Sequence, residues 1–437
     1  MIEIINTNFK MKKIYSKLKS IAFLSALLVG SNFVNAQVYV IGDGQTAYSV
    51  STDGKVVTLN TVDNNYYWTP DKGIQLLGEI APDTANGGSV LVTEDGKKIA
   101  AMTMNPTDGK NQMSIYDIEK DTWKYLGGIG GRSQDISSVW GMSADGKYIS
   151  GLAETPDGSF HGVVWNETTG FTDLKTDGEY YSRANGISDD GKIAVGWHDT
   201  NWDRWGVYWE NGERHQVLDQ DGYEVLELAG VSGNGKWMIG ATGEDVAMRY
   251  SKETGVQLIE HPKQGFYFNG AATAINTDGS VVVGFYRPWP GPAAMGEGFI
   301  WTEKTGRVEL NEYVSSLGYD DLGITFALPL GMSKDGTKIV GLGRTDMGTV
   351  SFLISLPKLG TSEVNTTKFE VYPNPTTDVI NIETKGQVSS SILYNMAGQK
   401  VLNSDQKQIN VSSLPKGTYI LKSTIDGKDV TKKIIKK

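Results

Sequence analysis

The chain reads as all-β: a seven-bladed β-propeller with four-stranded blades, followed by a small β-sandwich. Two observations carry this reading. A Gly, usually preceded by Asp, sits between two β-type runs at positions 54, 96, 146, 191, 235, 279 and 336, at spacings of 42, 50, 45, 44, 44 and 57. Self-similarity at such a period marks a repeat architecture, and four strands per unit make it a propeller. Beyond residue 368 the period stops, and short β-type runs alternate with turn residues to the end of the chain.

The elements of each repeat follow in order. A first strand of small and aliphatic residues, as in Ala184-Asn-Gly-Ile-Ser188, suits the crowded innermost position. Ser-x-Asp-Gly then makes a tight hairpin, because Gly takes the positive φ such a turn requires. A second strand often ends in Gly: Gly151, Gly196, Gly240, Gly284 and Gly341. A variable loop follows, then a third strand with an aromatic before its turn, as in Val164-Trp165 or Ile300-Trp301, then a short fourth strand such as Val256-Gln-Leu-Ile. The seventh repeat stops after its third strand, at Leu356-Pro357, while Gln37-Val-Tyr-Val-Ile41 is an orphan strand at the other end. Pairing the two would close the ring and leave no unpaired blade edge. Six or eight blades stay open if a copy is degenerate or lies in the wide last gap. The repeats resemble the HAF extracellular repeats, most closely at Ala274-Ile-Asn-Thr-Asp-Gly-Ser-Val-Val-Val-Gly284 with Gly298-Phe-Ile-Trp-Thr302. That resemblance implies a fold and an exported location, and no reaction.

The ends of the chain define its route. Lys12, Lys13, Lys17 and Lys19 precede an apolar run, Ile21 to Val29, and Val34-Asn35-Ala36 is a small-residue cleavage site. This is the pattern of a signal peptide over residues 1–36, with Met11 an alternative start. Its apolar run is too short to span a bilayer, and no other stretch in the mature chain is long enough. The last segment holds Val371, Ile380, Ile382, Leu393, Ile409, Tyr419 and Leu421 in short runs punctuated by Pro-Asn-Pro, Ala-Gly and Pro-Lys-Gly. These runs predict a small antiparallel, Ig-like β-sandwich. The segment carries Tyr372-Pro373-Asn374-Pro375, Asn395-Met-Ala-Gly398-Gln, Leu414-Pro-Lys-Gly417-Thr-Tyr, and Lys432-Lys433-Ile-Ile-Lys436-Lys437. With these motifs it resembles the type A C-terminal sorting domain of the type IX secretion system of Bacteroidetes. The resemblance implies secretion or attachment to the outer cell surface via the periplasm, with the type IX machinery and its sortase as partners. The expected organisation is a signal peptide 1–36, a propeller 37–357, a linker 358–368 and a sorting domain 369–437.

The chain has no Cys, so an exported protein of this kind is held by its core alone. The leader and the segment 369–437 each carry a net charge of +4 against a total of −10, which leaves about −18 on residues 37–368. So acidic a surface excludes nucleic acid and anionic membranes as natural partners.

Chemistry is sparse. The Ser-x-Asp-Gly carboxylates read as turn formers, since Asp bonds its own backbone. His161, His198, His215 and His261 show no zinc spacing. There is no Gly-x-Ser-x-Gly elbow and no calcium loop, so neither metal nor cofactor is expected. Asp83-Thr84-Ala85 matches a short O-glycosylation signal at Thr84. The loops after second strands, with the inter-blade segments, are richer. Trp197, His198, Asp199, Trp202, Arg204 and Trp205 lie in one, Tyr286, Arg287 and Trp289 in another, and Tyr181, Arg183 and Tyr267 between blades. Aromatic planes beside carboxylates and guanidinium groups suit sugar rings or peptide side chains. The sequence therefore predicts a binding or scaffold module for glycan or extracellular protein. The alternative is a propeller glycosidase or lyase with carboxylates from different blades.

Overall fold

Each Ser-x-Asp-Gly marker closes on itself. In the first, Ser51 Oγ donates to Asp53 Oδ1 (2.8 Å), Asp53 Oδ1 accepts the Lys55 N–H (3.0 Å), and Ser51 Oγ accepts the Val56 N–H (3.0 Å). Gly54 supplies the left-handed φ of 74° at the tip. The same bonds recur at Thr93/Asp95, Ser143/Asp145, Ser188/Asp190, Ser232/Asn234 and Ser333/Asp335. In the sixth copy Asn276 Oδ1 takes the Val281 N–H and Asp278 the Ser280 N–H. The markers are thus turn braces.

The computed structural model describes residues 37–357 and 370–437, apart from 81–86, 175–180, 201–202, 266, 385, 396–399 and 426–427. The leader, the linker, Thr84, Trp202 and Gly398 lie outside the described residues. The described residues form two compact units, up to residue 358 and from 359.

The first unit is all-β around these turns. Seven antiparallel four-stranded sheets follow one another at 46–79, 91–125, 137–173, 181–216, 225–258, 268–309 and 325–355, numbered here 1 to 7. Sheet 7 takes its fourth strand from Gln37–Asp43, which pairs antiparallel with Gly348–Ser355 (Tyr39 opposite Leu353). A single parallel bridge, Phe160 to Tyr181, links sheet 3 to sheet 4. The apolar cores lie between neighbouring sheets. Val195 and Tyr208 of sheet 4 pack with Leu228 and Met238 of sheet 5, and Leu59 of sheet 1 packs with Val340 and Leu353 of sheet 7. One α-helix is described, Leu310–Ser316, which buries Leu310 and Val314 between sheets 6 and 7. It occupies the widest gap between repeat markers.

First strands share one irregularity. Their pairing register slips at Tyr48, Trp140, Asn185, Ala229, Thr273 and Leu330, always the third residue before the turn Ser or Asn. The extra residue of such a β-bulge is unpaired and re-aimed. The bulge brings a first-strand carbonyl over the second strand. A Cβ at Gly196 would sit 1.9 Å from the Arg183 carbonyl oxygen, and Gly151, Gly240, Gly284 and Gly341 meet the same obstacle. The glycines that end the second strands follow from the bulge.

A belt of hydrogen bonds joins the turns. The Thr52 N–H donates to Glu94 O (3.0 Å), Glu94 to Ala144 O (2.9 Å), Asp189 to Gly233 O (2.9 Å) and Thr277 to Lys334 O (2.9 Å). The Ala144 N–H reaches the Asp189 carboxylate instead (2.8 Å), and Lys334 Nζ lies 3.2 Å from the same oxygen. Sheets 4 and 7 are three apart in the order, so this lysine bridges across the belt.

The second unit holds a three-stranded sheet (Glu370–Tyr372, Val379–Glu383, Gln408–Asn410) and a four-stranded one (Lys400–Ser404, Val388–Asn395, Gly417–Ile425, Lys428–Lys436). Both contribute to one core of Val371, Ile380, Ile409, Leu393, Leu421 and Ile434. Val401, on an edge strand, is exposed. Tyr419 Oη donates to Pro415 O (2.7 Å) beside Gly417. The two ends of the unit meet. Asn374 Oδ1 accepts the Ile435 N–H (2.9 Å), the Thr376 N–H donates to Ile435 O (2.8 Å), and the Lys437 N–H donates to Thr376 O (2.8 Å). Tyr372 and Lys432 are exposed.

Two outcomes follow. Deleting residues 37–43 uncovers the Gly348–Ser355 edge, so we expect a lower Tm and concentration-dependent association in sizing chromatography; an unchanged monomer of unchanged Tm would contradict the pairing. The turn carboxylates set an acid limit. Burial alone would raise Asp53, Asp145, Asp190, Asp278 and Asp335, but the N–H and hydroxyl donors outweigh it and hold all five below the usual range. A folded pKa below the unfolded value of about 3.9 gives stability that is complete above that value and lost as pH falls through the folded pKa. Urea midpoints should therefore hold from pH 7 to 5 and fall below pH ~4, less steeply in Asp190→Asn.

Candidate functional site

The end of the first unit opposite the turn belt collects most of the residues singled out in the sequence. They sit on strands more than on loops. Trp197, His198 and Asp199 belong to Ile193–Thr200, and Arg204 and Trp205 to Asp203–Glu210, with Asp199 opposite Arg204. Tyr286 and Arg287 belong to Val281–Pro288. The expected variable loops are thus largely hairpin ladder, as aromatic residues favour.

Three of these residues are buried, Trp197, His198 and Tyr286. Tyr286 is fully buried, its hydroxyl donating to Ile259 O (2.9 Å) and accepting the Ala247 N–H (3.1 Å). His198 is buried edge-on against Trp205, and burial and the Arg214 guanidinium push its pKa down to about 4. Neither His198 nor Tyr286 presents a surface to a ligand, and the Trp197 ring is covered by Arg204. Tyr267 and Trp289 are exposed and adjacent, the Trp289 N–H donating to Tyr267 O (2.9 Å), and the Arg287 guanidinium lies 5.2 Å from the Trp289 ring. Tyr181 stacks on Phe160 with centroids 6.3 Å apart.

The densest constellation spans sheets 3 to 5. Arg183 lies 3.7 Å above the Trp140 ring. It donates to Asn185 Oδ1 (2.6 Å) and Glu227 Oε1 (2.7 Å). Arg204 covers the Trp197 ring at 4.0 Å and stands between two carboxylates, Asp199 at 3.6 Å and Glu227 at 3.4 Å. Asn185 Nδ2 donates to Glu227 Oε1 (2.6 Å) and Leu228 O (2.8 Å). Burial raises the Asp199 carboxyl, Arg204 opposes this and Glu227 adds to it. Burial lowers the Arg183 pKa, against the pull of Glu227. Two polar atoms here are buried without a hydrogen-bond partner, Trp197 Nε1 and Asp199 Oδ1. Such atoms are costly unless something supplies the missing bond.

This cluster stands at the mouth of a cavity of about 460 Å³ lined by first-strand residues of all seven sheets, Arg183 and Glu227 among them. Trp140, Asn185 and Glu227 did not emerge from the sequence. The bulge position, three residues before the turn Ser, is the signal that finds the first two.

A second cleft holds His261, Glu297 and Glu309, whose ligand atoms lie within 4.8 Å of one another. Its bonding opposes a metal. His261 Nδ1 accepts the Lys263 N–H (2.9 Å), which leaves the proton on Nε2, the atom facing Glu309 at 3.2 Å and Glu297 at 3.4 Å. A ligating Nε2 must be bare. Arg307 at 2.6 Å from Glu309 and Lys263 at 3.3 Å from Glu297 already balance the carboxylates.

Comparison with known proteins bears on the second unit. Residues 370–437 match the family model "Secretion system C-terminal sorting domain". Beta-agarase D of Zobellia galactanivorans is 44% identical over 73 residues, covering 16% of this chain and only 15% of that enzyme. Among solved structures, an oligogalacturonate lyase in complex with manganese aligns at 12% identity and a TM-score of 0.47, over 75% of this chain and 94% of its own. The β-propeller domain of the Trilobed protease from Pyrococcus furiosus aligns at 12% identity and a TM-score of 0.45, over 71% of this chain and 95% of its own. The tail makes this protein a client of the type IX secretion machinery, secreted or attached to the outer cell surface. No described helix is long and apolar enough to cross a membrane.

The constellation predicts a graded mutational response. Glu227→Ala leaves Arg183 largely buried and unpaired, and should lower unfolding free energy by about 3 kcal/mol. Arg204→Ala removes a half-exposed partner and should cost less than ~1 kcal/mol. Urea denaturation reads both; equal costs would contradict the assigned pairing.

Proposed function

We propose that this protein is an exported recognition module: a seven-bladed β-propeller that binds glycan at the end opposite its turn belt, delivered by a C-terminal sorting domain. The observation that carries the reading is the Trp140, Arg183, Trp197, Asp199, Arg204 and Glu227 constellation, in which Trp140, Arg183 and Glu227 line the cavity and Arg204 ties Asp199 to Glu227. The partly exposed Trp140 indole, beside guanidinium groups and carboxylates, supplies the apolar surface and directional bonds that sugars take. The exposed Tyr267 and Trp289, with the half-buried Arg287, extend the same end. Seven sheets in succession, with Gln37–Asp43 completing the last, support the blade count. The shared core of two small sheets supports an Ig-like sandwich for the tail.

The organisation we propose is a signal peptide 1–36, a propeller 37–357 of HAF-like repeats, a linker 358–368 and a type A sorting domain 369–437. A sortase removes the tail at the surface, and Thr84 is a candidate for O-glycosylation. A second reading, a glycosidase or lyase, is favoured by one observation. Asp199 and Glu227 both contact Arg204, and the raised Asp199 carboxyl beside an arginine-paired Glu227 is the asymmetry an acid–base pair needs.

A glycan array with the purified protein tests the first reading. Specific binding should fall about tenfold or more in Arg204→Ala or Trp289→Ala. Release of reducing ends that Glu227→Gln abolishes would establish the second reading instead.

A further inference from the structure

We infer that the axial cavity of the first unit is a blind pocket that takes the end of an uncharged sugar chain, entering from the Arg183–Glu227 side. This rests on the recognition reading above and adds where and how the ligand sits. The cavity runs from that layer to the turn residues Glu94, Ala144 and Lys334. All six bulge residues, Tyr48, Trp140, Asn185, Ala229, Thr273 and Leu330, line it. In six of the seven sheets the bulge thus aims one variable side chain at the axis, the kind of position that sets specificity without disturbing the ladder.

The far end is narrowed and crossed by a side chain. The hydrogen-bonded belt draws the turns together there, and Lys334 reaches across to Asp189. A chain threading through would need two openings, so only a terminus or short branch can enter. At about 460 Å³ the pocket is of small-ligand size, enough for roughly two sugar rings.

The lining argues for an uncharged ligand. Arg183 is met by Glu227 at 2.7 Å, Arg204 by Asp199 and Glu227, and Lys334 by Asp189. None of these cations has charge to spare for a carboxylate or phosphate terminus. Hydroxyl and amide groups are what remain. The Tyr48 hydroxyl has no hydrogen-bond partner among the described residues, although Tyr48 lines the cavity.

Isothermal titration of the purified protein with neutral tetrasaccharides (cello-, laminari-, manno- and agaro-series), each beside its parent polymer at equal total sugar, tests this. An oligogalacturonate tetramer serves as the charged control. One neutral tetrasaccharide should bind, and its polymer should bind more weakly per sugar in proportion to its fewer ends. Ala229→Phe, which fills the pocket, should weaken binding about tenfold or more. Tyr48→Phe, which keeps the ring, should weaken it several-fold with an unchanged Tm, and so covers the case in which Ala229→Phe does not fold. A polymer binding as tightly per sugar as the tetrasaccharide, or preference for the galacturonate, would overturn the blind-pocket assignment and leave surface recognition standing. Binding that both variants leave unchanged would do the same. Failure of every glycan to bind would overturn the recognition reading and this inference with it.

Discussion

The closeness of the first strands governs the first unit. A Cβ on Gly141 would fall 2.5 Å from Gly186 Cα, one on Gly186 would fall 3.2 Å from Gly230 Cα, and one on Gly331 would fall 2.0 Å from Tyr48 O. Neighbouring sheets therefore meet backbone to backbone at the axis, where no side chain fits between them. Just before each of these glycines the strand bulges, and the displaced residue turns into the cavity. Backbone contact on the flanks and side chains at the centre are two results of one irregularity. The belt of turn-to-turn hydrogen bonds, with Lys334 reaching across to Asp189, narrows one end and leaves the other for function.

Away from the axis the sheets diverge and the gaps fill with larger groups. Arg249 lies between Trp237 of sheet 5 and Trp301 of sheet 6, at 4.0 and 3.9 Å, and pairs with Glu303 at 2.7 Å. Tyr67 meets Tyr116 between sheets 1 and 2, and Tyr208 meets Tyr250 between sheets 4 and 5. Much of the aromatic content is therefore packing between sheets. The candidate site differs in that two stacked guanidinium groups, Arg183 and Arg204, converge on one carboxylate, Glu227, which lines the cavity.

Legibility in the sequence divides along local and non-local lines. The Ser-x-Asp-Gly turns were readable because every bond of the brace lies within five residues. The tail was readable because its motifs are contiguous, although nothing local marks the meeting of Asn374 and Ile435. The helix Leu310–Ser316 was hidden because its apolar residues continue those of the preceding strand. His198 and Tyr286 neighbour Trp and Arg in sequence, as ligand-facing residues would, but both are buried, His198 against Trp205 and Tyr286 through hydroxyl bonds to Ile259 and Ala247. Glu227 carries no local mark at all. It matters because sheet 5 sets it against Arg183 and Arg204 of sheet 4.

Hydrogen–deuterium exchange of the whole protein, with and without a saturating glycan that it binds, addresses the central claim directly. A recognition site at the axial mouth predicts slowed exchange in peptides covering residues 138–143, 181–187, 203–206 and 225–231, with outer strands such as 255–258 unchanged. Protection confined to outer strands, or to the second unit, would contradict it.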